Sequence, residues 1–338
     1  MSAPATAGQR PRWREEDPET FRATLAAAAE QLGIQPLAVQ KDYWVCEALR
    51  AIEADKPDAV IFKGGTSLEK LRIIQRFSED LDLLVVGSFG REAATKTAMR
   101  QMIGAAHAAV GGAPPSGLKS GGTLGNLHRH AYLHPPLDAP SEAATGIADP
   151  GAVLLELGQS GGRHPSSRQP VTSLLTRQLQ EAGGFDVDAY ADLVPFTVQV
   201  LHPGRTLLEK LLRVNNFIVH TDDPRHGWPR IGRQFYDIWA LLAQQDVLAF
   251  LADRQATAEV LDDIYRVSAD FGGDEPVPAG GFAASPAFDP AGRFADRLRA
   301  EHDAAMRDLY YGSEPRVPYY EVLARVAQHA DLLDVRPA

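Results

Sequence analysis

Residues 60–86, VIFKGGTSLEKLRIIQRFSEDLDLLVV, leave the backbone few choices. The apolar run Val60 to Phe62 reads as a buried strand that stops at the pair Gly64-Gly65. Thr66-Ser67-Leu68-Glu69 fits the Ser/Thr-x-x-Glu capping box, so Thr66 is expected to cap a short helix. On the second strand that follows, Asp80 and Asp82 alternate with Leu81, Leu83 and Val85. Alternate side chains of a strand share a face, so the two carboxylates converge on one spot. At roughly 6–7 Å they repel by about 2–3 kcal/mol at an effective dielectric near 20. A divalent cation relieves that cost, and hard oxygen ligands suit Mg²⁺, with Mn²⁺ as a substitute.

The glycines have their own reason. Without Cβ atoms the chain turns tightly and brings backbone N–H groups against a ligand, and a helix N-terminus attracts anions. Strand, Gly-Gly turn, helix and Asp-x-Asp strand together suit a metal-bound nucleoside triphosphate (NTP). Gly64, Gly65 and Thr66 are expected at its phosphates, with Lys63 and Lys70 flanking the turn. The alternative is a plain glycine turn beside a surface acidic pair. Aspartates alternating with leucines make a half-buried strand, which favours the metal site.

These residues resemble a known group. Gly65-Thr66, thirteen intervening residues and Asp80-Leu81-Asp82 look like the signature of the DNA polymerase β-type nucleotidyltransferase superfamily. More narrowly, FKGGTSLEK followed by RFSEDLDL resembles the AbiEii/AbiGii toxin family, the nucleotidyltransferase halves of bacterial toxin–antitoxin pairs. KDYWVCEALRAI (Lys41 to Ile52), RTLLEKLLRV (Arg205 to Val214) and RQFYDIWALL (Arg233 to Leu242) are similar to it too, so the blocks span about 200 residues in the expected order. The resemblance implies a polymerase β-like α/β core with a mixed sheet, followed by a mainly helical C-terminal half. It implies transfer of NMP from an NTP to an RNA acceptor, a tRNA 3′ end, by a toxin that a cognate antitoxin neutralises. Two other readings stay open: transfer of a nucleotidyl or phosphoryl group to a protein hydroxyl, or a degenerate, non-catalytic binding module.

Several side chains acquire roles through this resemblance. Glu156 lies in the apolar strand VLLEL, an expensive place for an acid without a partner or metal. It is either the third carboxylate of the triad, activating the attacking hydroxyl and joining the metal site, or a strand-edge acid paired to an arginine. Lys210 flanks the broad apolar face of its helix, where a cation can snorkel or point into a cleft; the family's EKL motif places it at the catalytic site and the triphosphate. Asp237 lies off the stripe formed by Phe235, Ile238, Trp239 and Leu242, and so is solvated or faces a polar cleft. The family's YD motif makes it an active-site residue, oriented on Lys210 or Arg233. Ser78, two residues before Asp80, matches a serine that matters to activity in some members, or satisfies a backbone group where the strand begins. Lys41 and Asp42 read as helix packing or a structural ion pair.

Composition sets bounds. The 338 residues can form one large domain or two modest ones, with 44% hydrophobic and 23% charged residues. No apolar run reaches the 18 residues of a membrane span, and the polar N-terminus lacks a signal-peptide core. The single cysteine, Cys46, sits in an apolar helical pattern and suits a reducing compartment, so a cytoplasmic location with no membrane partner is expected. A net charge of −10 disfavours an all-over nucleic-acid binder. Between His202 and Arg233, however, Arg205, Lys210, Arg213, Arg225, Arg230 and Arg233 outnumber Glu209, Asp222 and Asp223. No HExxH, P-loop or Ser-His-Asp pattern is present.

Along the chain, residues 1–18 read as a disordered arm, 19–201 as N-terminal helices plus the nucleotidyltransferase core, and 202–338 as a helical C-terminal domain. Helices are expected over 21–55, 93–110, 206–219 and 234–250, with strands at 153–157 and 196–201. HRHAYL is a short strand candidate, its two histidines near the site, while APPSGLKSGGTLG reads as loop. Thr206-x-x-Glu209 is a second capping box.

Overall fold

The structure, a computed structural model, describes residues 10–87, 89–138, 147, 149–159, 165–220, 228, 231–269 and 272–337. Its centre is a seven-stranded sheet. The strands are β1 (Val60–Lys63), β2 (Leu81–Val85), β3 (Ala113–Gly121), β4 (His128–His134), β5 (Val153–Gly158), β6 (Ser166–Val171) and β7 (Phe196–Leu201), in the order β3-β4-β5-β2-β1-β7-β6. β1 with β7 and β2 with β5 pair in parallel and the other neighbours antiparallel, so the sheet is mixed as expected.

The two faces of the sheet differ. One is covered by α2 (Pro18–Leu32), α3 (Pro36–Asp55) and α5 (Glu92–Val110), which bury Phe62, Leu83, Leu133 and Leu155 in a core with Tyr43, Leu49 and Met102. On the other, the buried apolar cluster is only Ile61, Leu84 and Leu201. β5 shows the consequence in its strict alternation of buried and half-buried positions. α3 is buried along most of its length, and its charged residues are paired: Lys41 Nζ lies 2.6 Å from Glu79, Asp42 meets Lys70, and Glu47 lies 2.7 Å from Arg14. Lys41 and Asp42 are thus members of structural ion pairs.

From residue 203 the chain is helical: α7 (Pro203–Val219), α8 (Gly232–Leu241), α9 (Gln245–Ala252), α10 (Arg254–Ser268), α11 (Ala295–Leu309), α12 (Tyr319–Gln328) and α13 (Ala330–Leu333). Their apolar faces form a second core, which also takes in Leu68 and Ile74 from the short helix α4 (Gly64–Lys70) and the turn after it. α6 (Leu174–Ala182) packs beside α2 and α3.

Several expectations need correction. The disordered arm is ordered within the described residues: α1 (Trp13–Glu16) buries Trp13, whose N–H donates to Asp192 at 2.9 Å. Residues 1–9 lie outside the described ones. APPSGLKSG is not loop but β3, and SSRQPV forms β6 at the other edge. The helix expected over 234–250 is two, because the chain tightens after Leu241, Gln244 N–H donating to the Leu241 carbonyl at 3.1 Å. Neither capping box caps. α4 starts at Gly64, with Thr66 inside it, and α7 starts at Pro203, capped by the His202 ring nitrogen that accepts from Gly204 N–H at 3.1 Å.

Candidate active site

A cleft of about 640 Å³ opens between the uncovered sheet face and helices α7 and α8. Its floor follows from strand register. Lys63 of β1 pairs with Asp82 of β2, Asp82 with Glu156 of β5, Glu156 with His130 of β4 and His130 with Lys119 of β3. Directly paired residues point to the same face, so a row of ionisable groups crosses five strands.

Asp82 and Glu156 are its centre. They are paired directly across β2 and β5, and Glu156 is pushed up to about 8, first by burial and then by Asp82 and Asp80. Burial and the neighbouring carboxylates thus oppose ionisation of Glu156. His130 Nδ1 stands 3.7 Å from Glu156, its own pKa lowered by burial and by His128 and Lys119. On the other side, burial opposes the charge of Lys63, but Glu209, Asp82 and Glu156 outweigh it and raise its pKa.

Asp80 sits just before β2, with Arg233 Nη2 4.0 Å from its carboxylate. Thr66 Oγ1 donates to the Asp80 carbonyl at 2.6 Å. The expected cap is thus a clamp on the backbone that carries Asp80. The glycines are explained by proximity. Gly64 has φ +79°, and a Cβ there would stand 2.5 Å from Asp82 Oδ2; at Gly65 it would stand 2.8 Å from Ser78 Oγ and 2.9 Å from Arg76 Nη2. Only a chain without side chains brings α4 this close. Gly64, Gly65 and Ser78 all line the cleft.

The back wall is a buried ion cluster. Asp237, wholly inaccessible, accepts from Arg76 Nε at 2.7 Å and Nη2 at 2.6 Å, while Lys210 Nζ lies 2.7 Å from its Oδ2. Lys210 also donates to Gln234 at 2.9 Å. Burial would raise the Asp237 pKa, but the two cations hold it down at about 2. Burial lowers that of Lys210, with Asp237 opposing. Asp237 is neither solvated nor part of the cleft lining: it fixes the buried Lys210 and Arg76, which do line it.

The structure therefore brings Lys63, Gly64, Gly65, Ser78, Asp80, Asp82, Glu156 and Lys210 to one cleft. Lys70 is elsewhere. Its ammonium is buried against Asp42 and, at 2.9 Å, Glu69, so it does not reach the phosphate side. Sequence reasoning missed Arg76, Thr206, Glu209 and Gln234, which share the lining. The motif around Arg76 was visible, but its partner Asp237 lies 161 residues away. Arg225 and Arg230 fall outside the described residues.

The donor set suits a hard divalent cation through its chemistry. Asp82 and Glu156 are carboxylates brought side by side by strand register, a crowding that a cation would relieve, with Asp80 beside them. Among the described residues no group of three or more His, Cys, Asp or Glu is arranged as a metal centre. The expected three-carboxylate set is thus not assembled in advance. One or two carboxylates completed by phosphate oxygens and water is the usual Mg²⁺ arrangement.

No curated protein matches the chain. Among solved structures, a similar one is MenT4, the nucleotidyltransferase toxin Rv2826c from Mycobacterium tuberculosis H37Rv. It is 16% identical, with 94% of this chain and 99% of that chain covered and a TM-score of 0.42. The model of the family described as "Nucleotidyl transferase AbiEii toxin, Type IV TA system" matches residues 47–328. That span runs from the middle of α3 to the end of α12 and contains every cleft residue named above, so this chain belongs to the AbiEii family of nucleotidyltransferase toxins.

Proposed function

We propose that the toxin transfers NMP from an NTP to the 3′ hydroxyl of an RNA acceptor, a tRNA, in a Mg²⁺-dependent reaction, and that a cognate antitoxin opposes it. The observation that carries this reading is the direct pairing of Asp82 with Glu156 across β2 and β5, beside Asp80 and under the Gly64-Gly65 turn. Asp80 and Asp82 would hold the metal, which when bound offsets charge on the α-phosphate and on the leaving pyrophosphate. Lys63 and Lys210 supply fixed positive charge to the triphosphate, Lys210 locked in place by Asp237 and Gln234. Glu156 takes the proton of the acceptor hydroxyl as the oxygen–phosphorus bond forms and the bond to pyrophosphate breaks. Type IV family membership supports the antitoxin partner, and no helix among the described residues is long and apolar enough to cross a membrane.

The test is incubation of the protein with labelled NTPs, Mg²⁺, total cellular RNA and total cellular protein, resolved side by side. Label is expected on RNA of tRNA size, and is expected to vanish with chelator and in Asp80→Asn/Asp82→Asn. Label on protein bands and none on RNA decides for a protein hydroxyl as acceptor. Label on neither leaves a binding module.

A further inference from the structure

The proposed chemistry uses the row of side chains only as far as Glu156, and the same open face continues onto β4. There His128, His130, Tyr132 and His134 lie on one side, since alternate residues of a strand share a face. Each is half-buried, whereas Ala131 and Leu133 between them are buried in the core on the far side. Glycine neighbours leave these rings room. A Cβ on Gly121 would come within 2.7 Å of the His128 ring and one on Gly117 within 2.5 Å of the Tyr132 ring. Gly158, paired with His128 from the other side, has no atom within 4 Å of where its Cβ would stand.

The charge of this region departs from that of the whole. The chain carries 44 acidic residues, yet none lies between Glu92 and Asp138. Of the cations in that stretch, Lys119 is exposed and pairs with His130, so it borders the rings, whereas Arg129 alternates with them and Lys96 and Arg100 lie on α5 across the sheet. A face of rings bordered by Lys119, with Glu156 the carboxylate at its inner edge, offers stacking for unstacked bases and a cation for their phosphates. Two residues of strand advance about 6.6 Å, and the His128 and His130 ring centres are 5.8 Å apart, a spacing suited to successive bases of a stretched single strand.

We propose that this face of β4 is the acceptor site. The single-stranded 3′-terminal nucleotides of the RNA lie along it, with bases on His128 and Tyr132 and a phosphate near Lys119. The terminal hydroxyl passes His130 to reach Glu156. This inference rests on the reading of the protein as an RNA nucleotidyltransferase.

Fluorescence anisotropy tests it, with the full chain and a hairpin RNA bearing a four-nucleotide single-stranded 3′ tail, beside the same hairpin without a tail. The wild type is expected to prefer the tailed RNA. His128→Ala and Tyr132→Ala are each expected to weaken tailed-RNA binding about tenfold, and Tyr132→Phe to retain it. NTP binding, followed by thermal shift, should change less than twofold. If Tyr132→Ala does not fold, Lys119→Glu on the exposed edge strand reads the same loss. Wild-type affinity in the alanine and Lys119 variants would place the acceptor elsewhere while leaving RNA transfer standing. A wild type that neither binds nor labels RNA, with label on protein alone, removes the parent reading and this one together.

Discussion

The raised pKa of Glu156 makes a prediction at the scale of one residue. Glu156 has an ordinary value of 4.5 and is raised to about 8 in the fold. Between those values the folded chain binds more protons than the unfolded one, so its stability falls as pH rises through the window and levels off above it. Glu156→Gln removes the titrating group. Its melting temperature should decline less than that of the wild type from pH 5 to pH 8 in metal-free buffer. Parallel curves for the two proteins would mean that the proton is held elsewhere. Legibility at this scale divides by distance along the chain. Asp80 and Asp82 could be placed together because strand alternation dictates direction, whereas Glu156 joined them only through the family resemblance. Lys70 could not be placed: nearness to a glycine turn does not say which way a side chain leaves a helix, and the last turn of α4 faces the buried Asp42.

Among the elements, α4 is the one whose position can be tested most directly. Gly64→Ala adds a methyl group 2.5 Å from Asp82 Oδ2 on a backbone with φ +79°, so the Asp82 side chain or the helix must move. Transfer activity should fall at least about 100-fold, as expected when a reacting group shifts by an ångström. Gly65→Ala meets the ends of two side chains, Ser78 and Arg76, and has ordinary φ. It should retain more activity than Gly64→Ala, measured as label transferred per unit time. Equal losses would deny Gly64 its special place. Among the strands, those that sequence reading missed were the two sheet edges. β3 contains Pro114 and Pro115 and is mostly exposed, and β6 contains Pro170 and is largely exposed. An edge strand with little to bury has no alternation to display, and proline there interrupts no central ladder. The central strands β5 and β7 each bury one side against a core and could be recognised by it.

The two largest apolar cores of the described residues belong to the sheet and to the helical half, and the ion cluster of Arg76, Asp237 and Lys210 joins residues of both halves. Arg76 precedes the sheet's second strand, whereas the other two belong to the helical half. Arg76→Ala leaves Asp237 with one cation in a site closed to water, and should cost about 3–5 kcal/mol in urea denaturation. Asp237→Ala strands two buried cations and should cost at least as much. The double variant should cost clearly less than the sum of the two, because each single change exposes the same missing partner. Strict additivity would show that the cluster does not couple the halves. The same cluster has a consequence for the timing of synthesis. A nascent chain displays Asp80 and Asp82 long before Asp237 has left the ribosome. Translation at about 5–20 residues per second separates the two events by roughly 10–30 s. Throughout that interval the growing polypeptide has its acidic half-site but not the anchored lysine. On the proposed reading, the site with its anchored lysine is complete only after the last third of the message has begun to be read.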